Sequence, residues 1–371
     1  MRKIRVLVVD DAVVVRRMVT DVLAADPDIE VVGTAANGRL ALGKLAQLAP
    51  DLITLDIEMP ELDGLQTLVQ LRKTHPRLPV IMFSTLTERG AAATVEALAR
   101  GASDYVTKPA NVGSIQHAIE RIRDELIPKI RALAGRVVLP SRLPVELVPK
   151  PTMAASAHRS VLPVRVDVLA IGVSTGGPNA LATVIPALPA DFPLPIVIVQ
   201  HMPPVFTRLL AERLSSASKL GVREGEEGAL LEPGTAWVAP GNYHMVLRRD
   251  GQQVRLSLNQ AAPENSCRPA ADPLFRSAAE LFGNRALGLL LTGMGQDGLL
   301  GATAIREAGG LVLAQDEATS VVWGMPGAVV AAHLTDRVLP LELIASELTQ
   351  RAGVGRLPRA PGPMHPAIPT H

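Results

Sequence analysis

LAIGVSTGGP, residues 169–178, reads as a buried strand that stops in a tight turn and restarts as a helix. The apolar run supplies the strand. Pro178 stands where proline is favoured, in the first turn of a helix. The turn presents one serine, Ser174, above a sheet edge and beside the unpaired N–H groups of a helix start. Acyl transfer needs these two things, a nucleophile and donors for an oxyanion. Two later segments have the same build. IVIVQHMPP (196–204) ends a strand at His201, and GLLLTGMGQDG (288–298) places Asp297 after another.

Outward from this stretch, α/β alternation runs over residues 166–353, interrupted at 235–258 by TAWVA, YHMVLRR and QQVRLSL. Asp250-Gly251 between the last two signals a hairpin. A second α/β region precedes it. Apolar runs at 4–9, 31–35, 52–55, 80–83 and 104–106 alternate with amphipathic stretches at 13–24, 39–48, 65–73, 91–99 and 114–126. Five strand–helix units predict a parallel sheet with helices on both faces. Residues 128–165 differ: they hold six prolines and lose periodicity after Ala134. They read as an extension of the last helix followed by a linker. Residues 354–371 read as a disordered tail. The expected division is therefore 1–127, linker 128–165, 166–353, tail 354–371.

Composition narrows the function classes. The 371 residues are 47% apolar and only 2% aromatic, which argues against base-stacking surfaces for single strands. A net charge of +1 hides a pattern: −2 over 1–127, +6 over 128–165 and −5 over 166–353. The positive charge sits in the linker, so neither folded region looks like a nucleic-acid-binding module. A single cysteine, Cys267, excludes an intrachain disulfide and fits a reducing compartment. With no local base beside it, Cys267 reads as structural. No apolar run reaches the length of a membrane span, and no signal region precedes the first carboxylates. The expectation is a cytoplasmic protein with no membrane insertion.

In the first region, Asp10 and Asp11 follow the first strand and Asp56 the third. In a doubly wound sheet those strand ends lie side by side at the switch point. Three converging carboxylates call for a hard divalent cation such as Mg²⁺. Ser84 and Lys108 end the fourth and fifth strands, where a hydroxyl and an ammonium can meet phosphoryl oxygens. Either aspartate of the first pair alone would read as a helix cap. The five positions together read as a site.

This constellation resembles response-regulator receiver domains over residues 3–127. The resemblance implies a flavodoxin-like sheet of order 2-1-3-4-5. It also implies that Asp56 accepts a phosphoryl group from a histidine kinase, that Asp10, Asp11 and Asp56 hold Mg²⁺, and that Ser84 and Lys108 read the phosphoryl group. Tyr105 matches the aromatic switch position, or is simply a packed ring.

In the second region, Gly172-Val-Ser-Thr-Gly176 matches G-x-S-x-G, a motif that glycine-rich phosphate turns also produce. His201 and Asp297 distinguish the readings. A histidine can shuttle the serine proton and a carboxylate can orient the imidazole. The order found in ordinary α/β-hydrolases would instead recruit His333, which reads better as a partner of a helix C-terminus. GVSTGGP, VQHMPP, APGNYHM and TGMGQDG resemble the chemotaxis protein-glutamate methylesterase/glutaminase family over residues 166–350. The resemblance implies hydrolysis of glutamate γ-methyl esters, and deamidation of glutamines, on chemoreceptor helices. Ser174 would be nucleophile, His201 base and acid, and Asp297 the orienter. Thr175 and Met294 would lie near the oxyanion. Ester hydrolysis would need no cofactor.

Three further residues are possible substrate contacts. Arg268 and Asp272 lie in SCRPAADPLF, which resembles the family's RPSVDxLF segment. His244, in APGNYHM, reads as a pocket rim or a surface strand position. Two other functions fit the residues alone: a non-catalytic binding module and a general small-ester esterase. A transcription factor does not fit, because the second region is large, acidic and α/β.

Overall fold

The structure, a computed structural model, describes residues 2–108, 115–134 and 164–356. The first unit runs β1 (Ile4–Val9), α1 (Val13–Ala24), β2 (Ile29–Ala35), α2 (Gly38–Leu48), β3 (Leu52–Asp56), α3 (Gly64–Thr74), β4 (Val80–Ser84), α4 (Glu88–Ala99), β5 (Asp104–Thr107) and α5 (Ile115–Ala134). Its five strands are parallel in the order β2-β1-β3-β4-β5, the expected order. Because side chains alternate along a strand, Leu7 and Val9 pack under α2 and α3 while Val6 and Val8 pack under α1 and α5. Pro128 lies inside α5, so the helix continues past residue 127 as expected. Residues 135–163, the rest of the linker, lie outside the described residues.

The second unit runs β6 (Val168–Val173), α6 (Gly177–Val184), β7 (Ile196–Gln200), α7 (Phe206–Ala217), β8 (Gly221–Glu224), β9 (Thr235–Val238), β10 (His244–Asp250), β11 (Gln253–Asn259), α8 (Ala271–Phe282), β12 (Ala286–Leu290), α9 (Leu299–Glu307), β13 (Leu311–Gln315), α10 (Met325–Ala331), β14 (Arg337–Leu339) and α11 (Leu341–Gly353). Seven strands form a parallel sheet in the order β14-β13-β12-β6-β7-β9-β8. TAWVA therefore belongs to the main sheet, and only β10 and β11 form the hairpin. Every residue of β6 is buried. Leu169, Ile171 and Val173 face α6, α7 and α11, whereas Val168 and Ala170 face α8, α9 and the hairpin.

Winding leaves β6 in one direction towards β7 and in the other towards β12. A crevice opens at the carboxyl ends of such strands. Ser174 follows β6, His201 follows β7 and Asp297 follows β12, so the three positions share one end of the sheet.

The start and finish of this unit meet at the opposite end. Arg356 donates to the Val166 carbonyl at 2.6 Å and pairs with Asp167 at 3.0 Å. Residues 354–356 thus pack on the unit, against the expectation of a tail disordered from 354. The remainder of that tail lies outside the described residues.

Candidate active site

β6 and β7 pair in register to their last residues, Val173 opposite Gln200, and the His201 N–H donates to the Val173 carbonyl at 3.2 Å. This puts Ser174 and His201 side by side one step later. The turn after β6 closes with the Gly177 N–H on the Ser174 carbonyl at 2.8 Å. Gly176 has φ +78°, and a Cβ on Gly177 would sit 2.0 Å from Gln200 Oε1. Glycine is needed at both. The Gln200 amide donates to the Ser174 carbonyl at 3.0 Å and fixes the turn from below.

His201 Nε2 lies 2.7 Å from Asp297 Oδ2. Asp297 is buried and heavily bonded. Oδ2 accepts the Ala271 N–H at 2.6 Å, and Oδ1 accepts the N–H groups of Asp272 at 3.1 Å and Gly298 at 2.9 Å. Burial pushes its pKa up, but His201 and these donors outweigh it and hold the carboxyl below its ordinary value. Burial likewise pulls His201 down, yet Asp297 and then Cys267 raise it to about 10. Cys267 enters because its Sγ lies 3.5 Å from His201 Nδ1. Among the described residues no hydrogen bond joins Ser174 Oγ to the imidazole. The nitrogen turned away from Asp297 faces the thiol instead.

Thr175 is buried and Met294 half-buried beside the turn. The Thr175 carbonyl accepts the Thr292 hydroxyl at 2.9 Å. The N–H groups of Thr175 and Met294 donate to no acceptor among the described residues.

The other sequence candidates take internal roles here. Asp272 is buried, and its carboxylate accepts the Gly301 N–H at 2.7 Å and the Asn265 amide at 3.0 Å. Arg268 donates to the carbonyls of Gln260 and Ala261, each at 3.0 Å, and to Asn242 Oδ1 at 2.7 Å. His244 is 1% exposed and meets the Ala262 carbonyl at 3.1 Å, so it is not a surface strand position. The segment 259–268 folds over the hairpin base and covers it. This arrangement buries His244 and Asp272, whereas Arg268 stays partly exposed. His333 follows α10 at φ +56°, is exposed, and lies apart from Asp297 and Ser174.

Sequence reasoning missed Asn265, whose amide reaches Asp297 Oδ1 at 3.2 Å, and the Cys267–His201 contact. An asparagine two residues before the cysteine carries no motif. Its left-handed turn is the one local signal that points to it.

In the first unit, Asp10 and Asp56 are buried and Asp11 exposed, with one ligand oxygen from each within 4.8 Å of the others. Lys108 Nζ forms ion pairs with Asp56 Oδ2 at 2.7 Å and Asp10 Oδ2 at 3.0 Å. These two buried oxygens have no further partner among the described residues. This hard-oxygen set fits a small divalent cation. Burial, then the Asp10 charge, raise Asp56 to about 6, against the lowering effect of Lys108. Lys108 itself is pulled down by burial but raised overall by Asp56 and Asp10. The Ser84 hydroxyl is bonded towards α4, 3.1 Å from the Gly90 carbonyl and 2.6 Å from Thr94 Oγ1.

The two units touch through α4 and β5 of the first and α6 and α7 of the second. Arg208 pairs with Glu88, and Arg213 donates to the Val95 carbonyl at 3.0 Å. These contacts lay α4 along α7, first turn beside first turn. Asn179 donates to the Ala102 carbonyl at 3.3 Å, and the Tyr105 and Phe206 rings stack. α6 and α7 are the helices that start just after Ser174 and His201.

Residues 169–348 match the family model described as CheB methylesterase, and residues 6–120 match the response regulator receiver domain. A protein-glutamate methylesterase/protein-glutamine glutaminase of Trichodesmium erythraeum is 54% identical over 354 residues, covering 95% of this chain and all of that protein. One from a Nocardioides species is 53% identical over 350 residues, covering 94% and 95% of the two chains. The crystal structure of the Thermotoga maritima CheB methylesterase catalytic domain is 43% identical, with a TM-score of 0.49 over 50% of this chain and 99% of that one. No described helix is long and apolar enough to cross a membrane. With two relatives alike over nearly their whole lengths, this chain belongs to the protein-glutamate methylesterase/protein-glutamine glutaminase family.

Proposed function

We propose that this chain is a phosphorylation-gated hydrolase of glutamate γ-methyl esters and of selected glutamines on the cytoplasmic helices of chemoreceptors. The observation that carries the reading is the strand-end cluster: Ser174 beside His201, and His201 bonded to Asp297 at 2.7 Å. Its close relatives carry that activity in their names.

In this reading Ser174 Oγ attacks the γ-carbonyl carbon and His201 Nδ1 takes the hydroxyl proton. Nδ1 must first give up its Cys267 contact. Asp297 stabilises the imidazolium through Nε2–H. The N–H groups of Thr175 and Met294 receive the oxyanion. Collapse breaks the C–O bond, and the His201 proton leaves with methanol. Water then attacks the acyl-serine by the same route, releasing glutamate and restoring Ser174. A glutamine follows the same steps with ammonia as the leaving group. The division at 1–127 and 166–353 separates regulator from catalyst.

Asp56 is the residue that accepts the phosphoryl group from a histidine kinase. Asp10, Asp11 and Asp56 would hold Mg²⁺, which supplies charge neutralisation when a phosphoryl group meets three carboxylates. Lys108 meets the phosphoryl oxygens, and Ser84 reports on them to α4. The contact of α4 and Tyr105 with α6 and α7 supports gating. A receiver seated on the two helices that leave the site both crowds the cleft and holds its walls, and phosphorylation loosens that seat.

The test is methanol release from methyl-esterified receptor membranes by the full chain and by Ser174→Ala, with and without a small phosphodonor and Mg²⁺. Serine-dependent release that rises with the donor is expected. Release that survives loss of the hydroxyl overturns the mechanism. A rate indifferent to the donor, with Asp56 shown to be phosphorylated, overturns the gating.

A further inference from the structure

We propose that Asn265 is a positioning residue of the hydrolase: its side-chain amide bridges Asp297 and Asp272 and so fixes the carboxylate that orients His201. The inference rests on the esterase reading above.

The backbone explains why an asparagine stands there. Glu264 and Cys267 exchange both backbone hydrogen bonds, Glu264 N to Cys267 O at 3.1 Å and Cys267 N to Glu264 O at 2.8 Å. Between them Asn265 has φ +50° and Ser266 φ +61°. A two-residue turn with both central residues left-handed is a type I′ turn, and asparagine tolerates that region better than other side-chain-bearing residues. The turn carries Asn265 over Asp297 and hangs Cys267 on the far side of the imidazole. A segment 66 residues from His201 and 32 from Asp297 thus touches both ends of the pair.

The chemistry explains what the amide does. Asp272 and Asp297 are 1% and 2% exposed, and burial and then the Asp297 charge push the Asp272 carboxyl above its ordinary value. Two buried carboxylates side by side repel unless donors lie between them. Asn265 Nδ2 carries two N–H groups and gives one to each, at 3.0 Å to Asp272 Oδ2 and 3.2 Å to Asp297 Oδ1. No other described side chain donates to both. Arg276 is turned to Glu264 at 2.6 Å and acts on the two carboxylates only through space. The remaining groups that face His201 are Asp297 at Nε2 and Cys267 at Nδ1. Without the amide, Asp297 loses a donor and gains an unshielded neighbour, so it tilts and grips the imidazolium proton harder.

Two variants separate this role from a structural one. Asn265→Gly keeps the left-handed turn and deletes the amide. Asn265→Asp keeps the shape but donates only while protonated, and it adds a third negative charge once ionised. With a glutamate γ-methyl ester peptide as substrate, Asn265→Gly is expected to lose about tenfold in kcat with KM within about twofold. Its rate relative to wild type should recover as pH rises, because its base form appears later. Asn265→Asp should first lose ground as its new carboxyl ionises, a phase that Asn265→Gly lacks, and then recover at higher pH. The His201 imidazole ¹⁵N titration, read without substrate, should move to higher pH in Asn265→Gly. Wild-type rates, or one pH-independent loss shared by both variants, overturn the inference. A wild-type chain that releases no methanol overturns the esterase reading, and the titration still decides the role of Asn265.

Discussion

The Tyr105 and Phe206 rings stack across the two units, centroids 5.0 Å apart and planes 10° from parallel. Phe206 opens α7, five residues after His201, and Val205 before it is held at φ +74°. Such an aromatic pair is worth about 0.5–1.5 kcal/mol beyond its buried area. Arg213→Ala removes a neighbouring contact without touching either core. We predict that it raises the unphosphorylated methylesterase rate several-fold and shrinks the stimulation by a phosphodonor in proportion. Methanol release before and after phosphorylation measures both. An unchanged ratio means that this interface does not gate.

Loss of the proposed nucleophile, base or orienter should differ in degree. Ser174→Ala and His201→Ala should each lose at least about 10⁴-fold in kcat, and Asp297→Asn roughly 10³–10⁴-fold. His333→Ala should keep full activity, since its side chain is exposed after α10. Steady-state kinetics on one ester peptide compares all four. A dead His333 variant would restore the ordinary hydrolase order.

Cys267 holds the His201 proton from the Nδ1 side, so Cys267→Ala should lower the pH at which the rate reaches half its plateau. Stability follows from the same pair. His201 binds its proton more tightly folded than unfolded. Its contribution is therefore full below the ordinary 6.5 and is lost as pH rises towards about 10. Asp297 works the other way, contributing above the ordinary 3.8 and losing this as pH falls. The difference in urea midpoint between wild type and His201→Gln should shrink between pH 6.5 and 10. A constant difference would show that the ring is not held as an imidazolium.

Chelation by EDTA should abolish phosphodonor stimulation and leave the basal esterase rate untouched, because the acidic cluster and Ser174 lie in different units. Asp56→Asn should behave like the chelated wild type at any donor concentration. Phosphate incorporation and methanol release, followed in one sample, check both.

Much of this architecture is readable from local pattern. The five apolar runs of the first unit became five strands because parallel strands buried on both faces need such runs. Ser174, His201 and Asp297 were legible because each ends an apolar run in a turn. Other features depend on distant contacts. TAWVA sits in the main sheet beside β7, though the sequence groups it with the stretch that interrupts the α/β alternation. His244 is buried because the 259–268 segment folds back over it, which alternation along β10 cannot show. Cys267 reads as structural while its base is sought locally, but that base is 66 residues upstream. Asn265 is invisible until its turn is placed over Asp297.

Arg356 ties the exit of the second unit to its entrance at Val166, at the end of the sheet away from Ser174. β6, with six residues, separates that knot from the reaction by about 20 Å. The hydrolase is in effect a cassette with both leads on its back. A different regulator spliced before Val166 would join on the side away from the cleft. Evolution and protein engineers can thus change the control module without rebuilding the chemistry.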